Sequence, residues 1–217
     1  MLVLLHIFLE KRSKMKQLGR IMMVILSIAI AGYAFKFLNF KIEGILSDKG
    51  ELTRSLPYLI AFYTHTTLGG VALAIGSFQF FPRLRNRYLR AHRTIGKLYV
   101  VCCLLSGAAG LIIAQFAGGG WSNTLGFSLL AIAWLFTTYQ AYAFIRKGAV
   151  EQHRKWMIRS FALTLAAVAL RLYLPLLMLS GLSFPQAYAL VSWLCWIPNL
   201  LVAEWLVRKN SSQLATN

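Results

Sequence analysis

Six apolar stretches of membrane-crossing length, separated by clusters of basic residues, leave this chain few ways to fold. Leu18 to Phe35, Leu59 to Phe81, Leu98 to Ala117, Leu125 to Ile145, Met157 to Leu179 and Phe184 to Val207 can each supply a helix of about 20 residues. Hydrophobic residues fill 58% of the 217 positions and charged residues only 13%. A single water-soluble core of this size cannot hide that much apolar surface. The sequence therefore predicts an all-α fold, a six-transmembrane helix bundle over residues 18–209, with a cytoplasmic or interfacial segment over 1–17 and a flexible polar tail over 210–217.

The net charge of +17 is explained by where the charges fall. Lys11, Arg12, Lys14, Lys16 and Arg20 precede the first span, and Arg83, Arg85, Arg87, Arg90, Arg93 and Lys97 separate the second from the third. Arg146, Lys147, Arg154, Lys155 and Arg159 separate the fourth from the fifth, and Arg208 and Lys209 follow the sixth. The alternate connections, Gly118 to Thr124 and Ser180 to Ser183, carry almost no charge, and Asn39 to Leu56 is mixed. Positive-inside bias thus predicts both termini in the cytoplasm. No aromatic and basic interleaving accompanies the charge, so a nucleic-acid partner is not predicted. The short apolar Met1 to Leu9 precedes its basic cluster, the reverse of a cleaved signal peptide, and His6 within it reads as an ordinary residue. The Asn39 to Leu56 loop predicts an amphipathic turn of helix on the outer surface, with a turn at Ser47-Asp48-Lys49-Gly50 and Pro57 opening the next helix.

Ionisable groups inside the spans stand out because burying them in lipid is costly. His65 falls about 10 Å in from the outer end of the second span by helix rise, beside Thr64, Thr66 and Thr67, and near Gly69, Gly70 and Gly76, which permit a helix or a planar cofactor to approach closely. Arg171 reaches a comparable depth in the fifth span, which runs the other way. The pair predicts a ligand-binding cavity in the outer half of the membrane, with Tyr173 and Gln115 as further contributors and a small anionic or lipid-like molecule as its occupant. Glu204 lies near the cytoplasmic edge by the same depth count, so Arg20 or Arg159 suits it as a partner better than Arg171 does.

Two His-Arg pairs, His92-Arg93 and His153-Arg154, stand just before the third and fifth spans. Both spans run outward, so the two imidazoles share a depth on the cytoplasmic side. Two such groups can ligate haem b from opposite faces, with Arg93, Arg154 and their basic neighbours meeting the propionates and Tyr88, Tyr99 and Trp156 covering the ring. Zinc is the alternative and needs further ligands, of which Glu151 is one choice. Cys102, Cys103 and Cys195 have neither disulfide nor redox-motif spacing and read as packing residues. Metal-dependent hydrolysis is disfavoured, because no His-Glu-x-x-His helix or clustered carboxylates occur. No duplicated pair of broken helices marks a secondary transporter. Gly107 and Gly110 suit an internal packing seam or a dimer interface equally.

Gly76-Ser77-Phe78-Gln79-Phe80, Pro82-Arg83-Leu84-Arg85, His92-Arg93-Thr94-Ile95-Gly96-Lys97-Leu98-Tyr99, His153-Arg154-Lys155-Trp156-Met157-Ile158-Arg159-Ser160, Arg171-Leu172-Tyr173 and Pro198-Asn199-Leu200 carry a family likeness. On these motifs the chain resembles the DUF2306 family of bacterial six-helix membrane proteins, a domain of unknown function. The resemblance implies the six-helix fold and a bacterial inner-membrane location, and places His65, His92, His153 and Arg171 at the family's polar signature. Histidines on packed helices are also similar to those of compact membrane b-type cytochromes. Three readings stand at this point: a haem-containing electron carrier or quinone-linked oxidoreductase, a transporter or receptor for an anionic or lipid-like ligand, and a structural or assembly protein.

Overall fold

A computed structural model of the chain describes residues 2–39, 41 and 44–215; for 2–16, 44, 45, 48, 83, 84 and 210–215 it describes the backbone alone. His6 therefore lies outside the residues whose side chains are described. The fold is all-α among the described residues, with six helical spans long and apolar enough to cross a membrane. The helices are α1 (Leu2–Phe35), α2 (Leu56–Phe78), α3 (Pro82–Arg87), α4 (Leu89–Ala114), α5 (Trp121–Arg146), α6 (Val150–Thr164), α7 (Ala166–Leu179), α8 (Phe184–Leu194) and α9 (Ile197–Ala215). The fifth span is α6 with α7, and the sixth is α8 with α9.

Several boundaries differ from the sequence reading. The first helix starts at Leu2 and is continuous into the Gln17–Asn39 span. No glycine or proline interrupts it before Gly19. The polar tail likewise stays helical through Ala215, continuing α9 beyond its apolar part. The third span begins at Leu89 rather than Leu98, so His92 and Arg93 lie in the first turns of α4 and not in a loop. His153 and Arg154 sit equivalently in α6. The outer loop forms a 3-10 segment, Gly44–Arg54, broken at Gly50, whose φ of 49° suits a residue without a Cβ. Leu46 from this segment is completely buried in a cluster with Tyr58 and Phe62, so the loop is anchored on α2 rather than lying loose on the surface.

Four of the spans close into a ring: α2 packs on α4, α4 on α5, α5 on α6, and α6 returns to α2. Gly76 marks the tightest point of that ring. A Cβ there would lie 2.7 Å from Tyr99 Cε2 on α4 and 2.8 Å from Phe161 Cε2 on α6, both buried rings. Replacing Gly76 by Ala forces two packed aromatics apart and is expected to cost about 2 kcal/mol, read as a lowered unfolding midpoint in mixed micelles; an unchanged midpoint would refute the close approach. Gly70 is occupied in the same sense by α1, whose Ala34 Cβ is 3.3 Å from the position a Cβ would take. Its small size thus serves the close approach of a helix, one of the two readings the sequence offers there. Gly107 faces Leu135 of α5 and Gly110 faces His65 of α2, so both belong to an internal seam.

The fifth and sixth spans are each interrupted, at Leu165 and at Cys195-Trp196. Pro198 accounts for the second break, since it has no N–H for the Leu194 carbonyl four residues back. Asn199 ties the two interruptions together: its side-chain amide donates to the Ala162 carbonyl at 3.2 Å and to the Cys195 carbonyl at 3.0 Å. Nearer the α6 start, Arg159 grips Glu204 of α9 through two hydrogen bonds, 2.5 and 2.9 Å, while its guanidinium lies over Trp156. Of the basic residues that depth offers as partners for Glu204, Arg159 is thus the one realised.

Candidate functional site

The ring encloses a completely buried chain of hydroxyls whose donors can be assigned by elimination. Thr164 Oγ1 donates its one proton to the Ser160 carbonyl at 3.0 Å. Tyr99 must therefore donate to Thr164 across their 2.8 Å contact. Ser160 Oγ then donates to the Tyr99 oxygen at 3.0 Å, and Thr138 donates to Ser160 Oγ at 2.7 Å. Trp134 Nε1–H also donates to Thr164, at 2.9 Å, filling its second lone pair. Three helices, α4, α5 and α6, are joined by this network, and Cys103 packs within it.

The network fixes the register of His92 and His153. Tyr99 is seven residues beyond His92, and Ser160 is seven residues beyond His153, so each histidine lies almost directly below its hydroxyl partner on the same helix face. The Tyr99-Ser160 bond therefore sets His92 and His153 at one level, about 10 Å below it by helix rise. His92 lies within electrostatic reach of His153, as well as of Arg85 and Arg93. The same offset of 61 residues continues upward from His92/His153 and Tyr99/Ser160 to Cys103/Thr164 and Gly110/Arg171. The two His-Arg pairs are thus the lower end of a longer register between α4 and the fifth span.

The ring nitrogens of His153 are distinguished by their surroundings. Nδ1 is 2.8 Å from the Ala141 carbonyl of α5 and, facing an acceptor, carries the proton. Nε2 keeps its lone pair, with no hydrogen-bond partner among the described residues. A carbonyl holding Nδ1–H in this way is the usual support for a metal-ligating imidazole. The His92 side chain has no hydrogen bond to any described residue, and Arg93 and Arg154 are exposed and form no ion pair with one. Other members of the expected shell are used elsewhere. Trp156 stacks edge-on with Phe136 and lies under Arg159, Tyr88 faces outward beside Arg87, and Tyr99 is committed to the hydroxyl network. Among the described residues no three His, Cys, Asp or Glu side chains converge, so the zinc alternative lacks its third ligand there.

In the outer half, His65 and Ser106 lock α2 to α4 reciprocally. His65 Nδ1 donates to the Ser106 carbonyl at 2.9 Å, and Ser106 Oγ donates to the His65 carbonyl at 2.9 Å. Gly110 and Gly69 make room: a Cβ on the first would lie 2.8 Å from His65 Nδ1 and on the second 3.0 Å from Ser106 Oγ. Again Nε2 is the nitrogen left with a lone pair. Arg171 lies within electrostatic reach of His65, donates to the Ala167 carbonyl at 2.9 Å, and is covered by the Tyr33 ring of α1 with 5.6 Å from Cζ to the centroid. Tyr33 was not foreseen; it lies near the outer end of the first span, where an aromatic reads as an ordinary interface residue. Gln115 and Tyr173 do not join this pair. The Gln115 amide donates to Leu111 and Ser128, and Tyr173 is two helix positions from Arg171, with its ring packed on the main core.

A family model described as Predicted membrane protein (DUF2306) matches residues 62–207, from within α2 to within α9. No curated protein and no solved structure matches the chain.

Proposed function

The chain belongs to the DUF2306 family of predicted membrane proteins, and from that membership and the registered histidine pair we propose that it is a membrane electron carrier holding haem b between His92 and His153. The observation that carries this reading is the Tyr99-Ser160 hydrogen bond, because it levels two histidines on helices that face each other across the four-helix ring. The Ala141 carbonyl supports the reading further by directing the His153 lone pair to Nε2. Arg93 and Arg154 stand beside the two histidines, exposed and ready for carboxylates. A haem bound there would supply one-electron chemistry, and the protein would supply its ligands and the basic groups that meet its carboxylates. A membrane quinone is the class of redox partner that such a carrier meets within the bilayer.

Positive-inside bias puts the basic connections, both termini and the histidine pair at the cytoplasmic face of a bacterial inner membrane. The test is an optical one. Protein expressed with haem precursor and purified in mild detergent is expected to show a band that shifts on reduction, with stoichiometric iron. Iron-free protein without such a band, made under the same conditions, overturns the proposal.

A further inference from the structure

Arg171 is a permanent cation in the outer half of the bundle, and no acidic side chain among the described residues pairs with it. A guanidinium has five N–H donors, and among the described residues a single hydrogen bond, to the Ala167 carbonyl of its own helix, uses one of them. Tyr33 covers a face of the guanidinium plane and leaves its donor edge to other partners. Pro175, four residues on, has no N–H for the Arg171 carbonyl, so the same residue also presents a freed acceptor. His65 adds an imidazole lone pair within electrostatic reach. Donors without a counter-charge in a low-dielectric setting are costly unless something compensates them.

The surroundings show how a compensating group reaches the site. Helix α1 packs chiefly on α2 and only lightly on α7, where Arg171 lies. Tyr33, Leu172 and Leu176 are all exposed on the bundle's outer surface, which is apolar and faces lipid. The seam between α1 and α7 therefore opens sideways into the bilayer. We propose that Arg171, Tyr33 and His65 form a binding site for the oxyanion head of a single-chain amphiphile, a carboxylate or a phosphate, whose tail lies in the α1–α7 seam. The planar fork of Arg171 matches either head in bidentate fashion, and His65 Nε2 accepts from a protonated head oxygen or from a water that bridges to it. The site is independent of the redox reading, since it uses neither His92 nor His153.

The experiment measures binding of dodecanoate, dodecyl phosphate and dodecanol to the full chain in nanodiscs, with haem content recorded in parallel. The acids are expected to bind and the alcohol of equal tail length to bind at least tenfold more weakly. Preference for dodecanoate identifies a carboxylate head, and preference for dodecyl phosphate a phosphate head. Arg171→Gln is expected to weaken the preferred acid at least tenfold, with Arg171→Lys in between, because a lysine keeps the charge and loses the fork. Haem content is expected to stay at the wild-type value in both variants. Equal binding of the acids and the alcohol to the unmodified chain overturns the proposal without recourse to any variant, and so does undiminished acid binding by folded Arg171→Gln.

Discussion

Replacing Thr164 by Val lowers the stability of the bundle by about 3 kcal/mol, the largest loss expected from a change of one heavy atom in its core. The valine keeps the shape of the threonine and removes the oxygen on which two donors converge, Trp134 Nε1–H and Tyr99 O–H. Tyr99 can turn its proton toward Ser160, but only by reversing the Ser160 hydroxyl as well, and the indole N–H has no second acceptor among the described residues. The loss stays near the sum of one to two orphaned donors, since hydrogen bonds between membrane helices are individually modest, on the order of 0.6–1.7 kcal/mol. Thr164→Ser restores the oxygen and is expected to recover most of the stability. Unfolding in mixed micelles measures both, and equal midpoints for the Val and Ser variants would contradict the donor assignment.

Loss of the low-spin haem spectrum is the expected result of replacing His153 by Ala, and separately of replacing His92 by Ala. Under the haem proposal each change would remove one of the two histidines that hold the group, and the remaining imidazole could not take the place of both. His65→Ala is the control that separates the two histidine sites: it breaks the α2–α4 lock with Ser106 and lowers stability while leaving the spectrum unaltered. A wild-type spectrum in either His92→Ala or His153→Ala protein would remove that histidine from the ligand set.

The spans were legible because apolar runs and basic clusters are properties of composition along the chain, and a bilayer reads composition. Depth was legible for the same reason: counting residues along a helix put Glu204 beside Arg159 and His65 level with Arg171 before any contact was known. What the sequence withheld is rotational. Which face of α4 turns inward, and therefore that Tyr99 and Ser160 meet, depends on packing against Gly76 and Phe161 rather than on local pattern. Gln115 was placed by depth in the outer cavity, yet its helix face turns it toward Ser128. Asn199 carried no visible reason in the motif Pro198-Asn199-Leu200; its role is to bond a carbonyl in the fifth span, and nothing in the sixth span alone indicates that partner. The helix starts at Leu89 and Val150 were also missed, because a polar first turn outside the bilayer has the composition of a loop.

Helix α1 stands apart from the rest in one respect. It contributes no group to the hydroxyl network, none to the Asn199 tie and none to the Arg159-Glu204 pair, and the matched family region begins beyond it at residue 62. Among its attachments are Met23 against the main core, Ala31, Ala34 and Phe35 around Gly70, and the ring of Tyr33 over Arg171. In the proposed amphiphile site this helix is one wall, and exchanging its sequence would change which molecules of the surrounding bilayer reach Arg171 while the contacts among α2, α4, α5 and α6 stay in place.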